Sequence, residues 1–274
     1  MFELPPLKDD GLAIPDVPEH YKYKHHFIKR YIDAFTTSMK GKNWTALHYI
    51  DLFASAGIER LRNSRKLEWG SPMLAAYAPN PFSRLHLCEV VPETFEALDV
   101  RVKRIRPDSQ VILGDANQKI SEIVREIPRG SLSLCFLDPH GLHLEFETLR
   151  ALASNRVDLI IFFPDRLDAL RNWAAYYLDN PESNLDRCLG PDIDWRGRLQ
   201  EIPADRRAEE FRNMYIAQIK SQLGYAHTDF ERIHTTQGQP LYYLIFCARH
   251  KFAAQLWRRI AEKKPDGQRT FRFE

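Results

Sequence analysis

Residues 46–57 read Ala-Leu-His-Tyr-Ile-Asp-Leu-Phe-Ala-Ser-Ala-Gly. Leu47, Tyr49, Ile50, Leu52 and Phe53 form an apolar, β-prone run with one acid in it, Asp51. The run then breaks into three small residues and Gly57. A buried parallel strand whose carboxyl end opens into a ligand-hugging loop has this pattern. Small side chains let the backbone come close to a ligand, and Gly57 can take a positive φ. An ordinary buried strand and turn fits the same letters, so the flanking sequence decides.

Downstream the chain alternates. A polar loop is expected over residues 58–70. Ser71 then reads as a helix cap, with Pro72 in the first turn of a short helix over 73–78. Strands are expected at 84–89, 110–114, 131–137 and 157–163, with helices at 92–105, 120–127 and 145–153 between them. The run at 131–137 is continuously apolar, as a parallel strand covered on both faces should be. Residues 165–203, rich in aromatics and prolines, read as short helices and loops capping the ligand edge of the sheet. A long helix over 204–223 closes at Gly224. Two β-prone runs, 227–234 and 241–249, are joined by a hairpin connection. A last helix, 252–263, carries Leu256, Trp257 and Ile260.

Upstream, Pro5, Pro6, Pro15 and Pro18 mark residues 1–20 as an extended arm. Residues 21–39 read as a helix, with Tyr23, Phe27, Ile28, Tyr31, Ile32 and Phe35 near helical spacing. The organisation predicted is this arm followed by one domain over 21–274, with a mostly helical insertion at about 165–223. Repeated β-α units imply a mostly parallel sheet. An antiparallel hairpin added at the end is how class I methyltransferase folds finish. The expected class is therefore α/β, a Rossmann-like class I methyltransferase fold.

The totals fit. The chain has 274 residues, 44% hydrophobic and 28% charged, with a net charge of +2 that by itself announces no nucleic-acid binder. No apolar run approaches the ~20 residues of a membrane span, and the first residues lack a signal-peptide pattern. Cys88, Cys135, Cys188 and Cys247 are scattered with no CxxC pair, so neither a zinc site nor a disulfide framework is indicated. A reducing cytoplasm is the expected setting.

Four acids fall at or near strand carboxyl ends, where open α/β sheets bind ligands: Asp51, Glu89, Asp115 and Asp138. Glu89 is placed to accept from two ribose hydroxyls. Asp115, followed by Ala116, is placed to accept from an adenine amino group. Phe53, Ala54, Ser55 and Gly57 would lie under the ligand's amino-acid portion. Asp51 would either hold that loop or reach the ligand's ammonium through water. Taken singly, each acid fits an Asx turn or helix cap equally well. There is no GxGxxG, and Gly57 to Glu89 exceeds the ~20-residue dinucleotide spacing, which disfavours a nicotinamide dehydrogenase.

Asp138-Pro139-His140-Gly141 carries the candidate chemistry. The amino groups of bases are weak nucleophiles because their lone pair is delocalised into the ring. A carboxylate that accepts their N–H raises electron density on the nitrogen. Pro139 fixes the local backbone, and His140 is placed to stack on a base or to move a proton near neutral pH. A turn in which Asp138 caps the next helix is the plainer alternative. Lys22, Lys24, Lys29 and Arg30 on the first helix, with Arg60, Arg62, Arg65 and Lys66 in the 58–70 loop, would meet nucleic-acid phosphates. A solvated basic face is the alternative for them.

The order Tyr-Ile-Asp-Leu-Phe-Ala-Ser-Ala-Gly (49–57), Gly-Ser-Pro (70–72), Cys-Glu (88–89), Gly-Asp-Ala-Asn (114–117) and Phe-Leu-Asp-Pro-His-Gly (136–141), with Leu-Tyr-Tyr-Leu-Ile-Phe at 241–246, resembles the three-Cys-motif partner (TcmP) proteins. Where that family reads Phe-Ala-Gly-Pro-Gly, this chain has Phe53-Ala54-Ser55-Ala56-Gly57. His140 replaces the aromatic of its Asp-Pro-aromatic-Gly motif, a motif similar to that of tRNA guanine N2-dimethyltransferases. The resemblance implies S-adenosylmethionine as cofactor and a protein partner with a radical-SAM-like cysteine motif. Two functions remain open at this stage. One is a methyltransferase acting on a base amino group. The other is a non-catalytic partner protein of the same fold.

Overall fold

The computed structural model describes residues 2–139, 141–164, 180, 182–190, 193–204, 206–234 and 240–262. His140, most of 165–183, the hairpin connection and the basic tail lie outside them, and so do the expectations attached to those segments.

The strands are short apolar runs, and their alternate residues sort to two faces. In β2 (Leu47–Asp51), Ile50 joins one core while Tyr49 joins the other. In chain order the principal elements are α1 (Tyr21–Met39), β2, α2 (Ser71–Ala76), β5 (Arg84–Glu89), α3 (Pro92–Lys103), β6 (Gln110–Leu113), α4 (Ala116–Arg125), β7 (Leu132–Leu137), α5 (Phe146–Ala153) and β8 (Val157–Pro164). Two short helices, α6 (Asn184–Leu189) and α7 (Trp195–Gln200), precede the long α8 (Arg207–Leu223), then β9 (His227–His234), β10 (Pro240–Ala248) and α9 (Lys251–Ala261). Helices α4, α5 and α8 cover one face of the sheet, and α1, α2, α3 and α9 cover the other. Stacking in the second core is close: the Phe246 and Trp257 rings lie 5.0 Å apart at 5°. Fully burying side chains of this size contributes roughly 1.5–3 kcal/mol each.

The main sheet has the order β6-β5-β2-β7-β8-β10-β9, with β10 antiparallel to both neighbours and the other pairs parallel. This is the Rossmann-like class I methyltransferase topology. From β2 the chain runs outward through β5 and β6, then returns to β7 on β2's other side. The order therefore reverses at the β2/β7 pair, and in open α/β sheets ligands bind beyond the strand carboxyl ends at such a point. Asp51 is the last residue of β2, and Asp138 follows β7.

Two local expectations are corrected. Residues 58–70 are not a loop but a two-stranded ribbon, β3 (Ile58–Leu61) and β4 (Leu67–Trp69), and β1 (Asp16–Val17) pairs in parallel with β3. Ile58, Glu59 and Leu61 are buried, so the ribbon has an inner side despite its charged letters. At α2 the cap position belongs to Gly70, and the Ser71 hydroxyl turns instead to Asp51.

Residues 2–15 carry no helix or strand, yet they are anchored. Buried Arg101 donates to both oxygens of Asp10 (2.6 and 2.9 Å) and to the Ala56 carbonyl (2.7 Å). That second contact ties the N-terminal segment to the loop after β2. No described helix is long and apolar enough to cross a membrane.

Candidate functional site

The loop after β2 is held from three sides. The Ala54 N–H donates to the Cys88 carbonyl (3.0 Å) at the end of β5. Ser55 takes a φ of 55°, left-handed backbone that a non-glycine residue seldom adopts. Its N–H donates to Glu89 Oε2 (2.8 Å), and the Val91 N–H donates to Glu89 Oε1 (2.8 Å). Glu89 thus spends one acceptor direction on each oxygen and keeps about two more. It is 9% exposed. Gly57 sits at φ 81°, and a Cβ there would come within 3.0 Å of Met73 Cγ.

Asp51 is fully buried. It accepts from the Ser71 hydroxyl (2.6 Å), the Tyr49 hydroxyl (3.2 Å) and the Phe53 N–H (3.3 Å). Burial pushes its carboxyl up to about 7, against the pull of those donors. These bonds tie Asp51 to the start of its own loop and to α2.

Asp115 is exposed and caps α4, its Oδ1 accepting from the Asn117 N–H (2.9 Å) and the Gln118 N–H (3.2 Å). Ala116 is the buried first residue of that helix. Asp115 and Glu89 share an edge: Gly114 N–H donates to the Glu89 carbonyl (2.9 Å), and both acids act on the thiol of Cys88 between them.

Asp138, after β7, is the centre of an arrangement that was not anticipated. Lys24, 1% exposed, reaches from α1 and its Nζ donates to Asp138 Oδ2. The ammonium lies 3.2 Å from the Tyr21 ring centroid and 5.8 Å from that of Phe162. Tyr242 packs on Phe162 at 4.1 Å, so the carboxylate stands beside an aromatic wall. Burial works against charge on Lys24, but the attraction of Asp138 and Glu59 outweighs it and raises its pKa. Glu59 on β3 is 4% exposed, and burial pushes it up to about 7 even though Lys24 pulls it down. His25 Nε2 lies 3.5 Å from Glu59 Oε2, and burial with the nearby Lys24 keeps this imidazole neutral. Lys24, Asp138, Glu59 and His25 form one buried polar cluster.

The expectation that Lys24 faces phosphates is therefore wrong. The periodicity held the signal that would have revealed this. Lys24 stands at helical spacing from Phe27, Ile28, Tyr31 and Phe35, on the buried stripe of α1. A cation in that position needs a buried acid. Of the other basic candidates, Arg60 pairs with Asp9 and Asp16 and Arg65 with Asp16. Arg30 donates to the Ile260 carbonyl (2.7 Å), and Lys29 lies 5.0 Å from the Phe2 ring. Lys22, Arg62 and Lys66 are exposed. Among the described residues no cluster of side chains could hold a metal ion.

No protein-family model and no curated protein matches the chain. Solved structures do. A Legionella pneumophila str. Philadelphia 1 protein assigned to DUF519 matches with a TM-score of 0.54 at 12% identity, over 86% of this chain and 90% of the other. An O-methyltransferase from Bacillus cereus, solved in complex with SAH, gives 0.49 at 11% identity over 87% and 84%. The N-terminal domain of human METTL16, also in complex with SAH, gives 0.42 at 12% over 87% and 73%. At such identities the likeness is one of fold.

Proposed function

We propose that the chain is an S-adenosylmethionine-dependent methyltransferase that acts on an amino group, with a nucleic-acid base as the acceptor. The observation that carries this reading is Asp138. It lies at the sheet's switch point and accepts an N–H from a nitrogen held against an aromatic ring.

The residues present fit the cofactor. Glu89 retains acceptor directions for two hydroxyls, the 54–57 loop is made of small residues, and Asp115 keeps Oδ2 clear of its capping bonds. When bound, S-adenosylmethionine would supply a methyl group on an electron-poor sulfonium. Glu89 would hold the ribose, and Asp51 braces the loop through Phe53 and Ser71. Through the oxygen that Lys24 leaves free, Asp138 would accept an N–H from the target nitrogen, direct its lone pair, and take up the proton lost as the N–C bond forms and the sulfonium C–S bond breaks. Tyr21 and Phe162 offer flat faces to a base. Positioning supplies most of the rate in an in-line transfer of this kind. Lys22, Arg62 and Lys66, exposed near the same end, are the cations left to meet phosphates.

The experiment is transfer of a labelled methyl group from S-adenosylmethionine to bulk RNA and DNA. The native chain should label one of them, and Asp138→Asn should lower the rate at least a hundredfold. Glu89→Ala should abolish cofactor binding in calorimetry, and unchanged affinity would remove the cofactor assignment.

A second reading has its own observation. Lys24 already occupies one oxygen of Asp138, as it would in a non-catalytic partner protein that kept the fold. The sequence resemblance to the three-Cys-motif partner proteins points the same way, to a protein with a radical-SAM-like cysteine motif. Cofactor binding with no transfer to either nucleic acid would favour this reading.

A further inference from the structure

Away from the acids, a cavity of about 790 Å³ opens at the other end of the sheet, by the amino ends of β7 and β8. Its size falls in the range of small-molecule sites, ~300–1,000 Å³. Met39 at the end of α1, Trp44, Leu132, Val157 and Phe252 give it apolar walls. Phe252 is 42% exposed, unusual for a phenylalanine that nothing in the described chain covers.

One wall residue does not belong in an apolar pocket. Asp158 lines the cavity although it is only 7% exposed. Its Oδ2 accepts the Tyr31 hydroxyl at 3.3 Å, and its Oδ1 has no hydrogen-bond partner among the described residues. Among the described residues no cation pairs with it. Arg249, another lining residue, is committed to the carbonyls of Ala153, Asn155 and Leu223. Burial pushes the Asp158 carboxyl up to about 7. Oδ1 is not among the wholly buried unpaired atoms, so it opens into the cavity, where a ligand N–H can take the place of water. The side of the cavity that faces solvent has the opposite sign. The Arg156 guanidinium lies 5.7 Å from the Trp44 ring centroid, and Lys42 is exposed beside it.

Three requirements follow for an occupant: an N–H donor for Asp158, a flat apolar body to lie along Trp44 and Phe252, and an anionic group for Arg156 and Lys42. We infer that this cavity is a second ligand site, distinct from the acid edge, and that it takes an amino-purine nucleotide. The base amino group donates to Asp158, the ring lies along Trp44, and the phosphate meets Arg156 and Lys42. A free amino acid has the donor and the anion but leaves most of the cavity unfilled.

The test is calorimetric titration of the intact chain with adenosine monophosphate, checking each variant's fold by near-ultraviolet circular dichroism. Binding should weaken at least tenfold in Trp44→Ala and in Arg156→Ala. It should weaken comparably when the ligand is adenosine, which lacks the phosphate, or N6,N6-dimethyladenosine monophosphate, which lacks the amino N–H. Excess S-adenosylhomocysteine, which fills the acid edge, should leave that binding in place. Absence of binding at millimolar nucleotide would overturn the proposal. So would binding that survives in both rim variants and is displaced by S-adenosylhomocysteine, since the nucleotide would then occupy the acid edge. Loss of methyl transfer bears on neither outcome, so the two sites are tested separately.

Discussion

Replacing Lys24 by methionine tests the site's central contact. Methionine keeps much of the side-chain volume and removes the charge. Asp138 loses its N–H donor, and Glu59 loses the cation that pulls it down. Breaking a buried ion pair by removing one partner costs about 3–5 kcal/mol, because the other charge is left uncompensated. The Asp138 side chain is 12% exposed and can regain some water, so the lower end applies, about 3 kcal/mol. In a chain of this size that corresponds to roughly 6–12 °C in Tm. Asp138→Asn alone strands Lys24, 2% exposed at its side chain, and should cost at least as much. The double variant removes both charges and should cost about 3–4 kcal/mol, against about 6 kcal/mol for the two singles summed, a coupling of about 2–3 kcal/mol. Urea denaturation of the four proteins measures all the terms. A Lys24→Met cost below about 1 kcal/mol, or additive single effects, would show the contact to be as weak as a surface ion pair. The account of Asp138 as a strong acceptor of N–H donors would fail with it.

The pH dependence of Asp51 has a definite sign. Its folded pKa of about 7 lies above the ordinary 3.8, so the folded state holds the proton more tightly between those values. Its contribution to stability is greatest below pH 4 and is lost as pH rises through 7, a change on the order of 4 kcal/mol. Relative to the native chain, Asp51→Asn should therefore gain stability steadily from pH 4 to 8 in urea titrations, and a flat difference would contradict the burial argument. Gly57→Ala forces a Cβ to 3.0 Å from Met73 at a φ of 81°. It should cost about 1–3 kcal/mol in thermal unfolding, with weaker binding of S-adenosylmethionine because the loop must shift.

Much of the fold was legible because its cause is local. The strand at Arg84–Glu89 and the hairpin strand at His227–His234 have the bounds their letters suggest, and α1 spans Tyr21–Met39 as its periodicity indicates. The ribbon at Ile58–Trp69 was not legible. Charged residues interrupt its apolar pattern, and its parallel partner, Asp16–Val17, lies some forty residues earlier in the chain. Glu89 was found as a strand-end acid, and its task of tying Ser55 to β5 became visible only in three dimensions. Glu59 and His25 carried no sequence signal, since an isolated acid or histidine in a polar stretch looks solvated.

By itself the sequence determined the alternation of strands and helices, the terminal hairpin, and the positions of four acids at strand ends. Backbone propensity and side-chain periodicity act over a few residues, and those features need nothing more. Tertiary structure decided which charges are available. It buried Lys24 against Asp138, turned Asp51 inward to its own loop, and left Asp158 with an open acceptor in a cavity at the far edge. A charged group's role depends on the partners and the water around it, and folding brings those partners from distant parts of the chain.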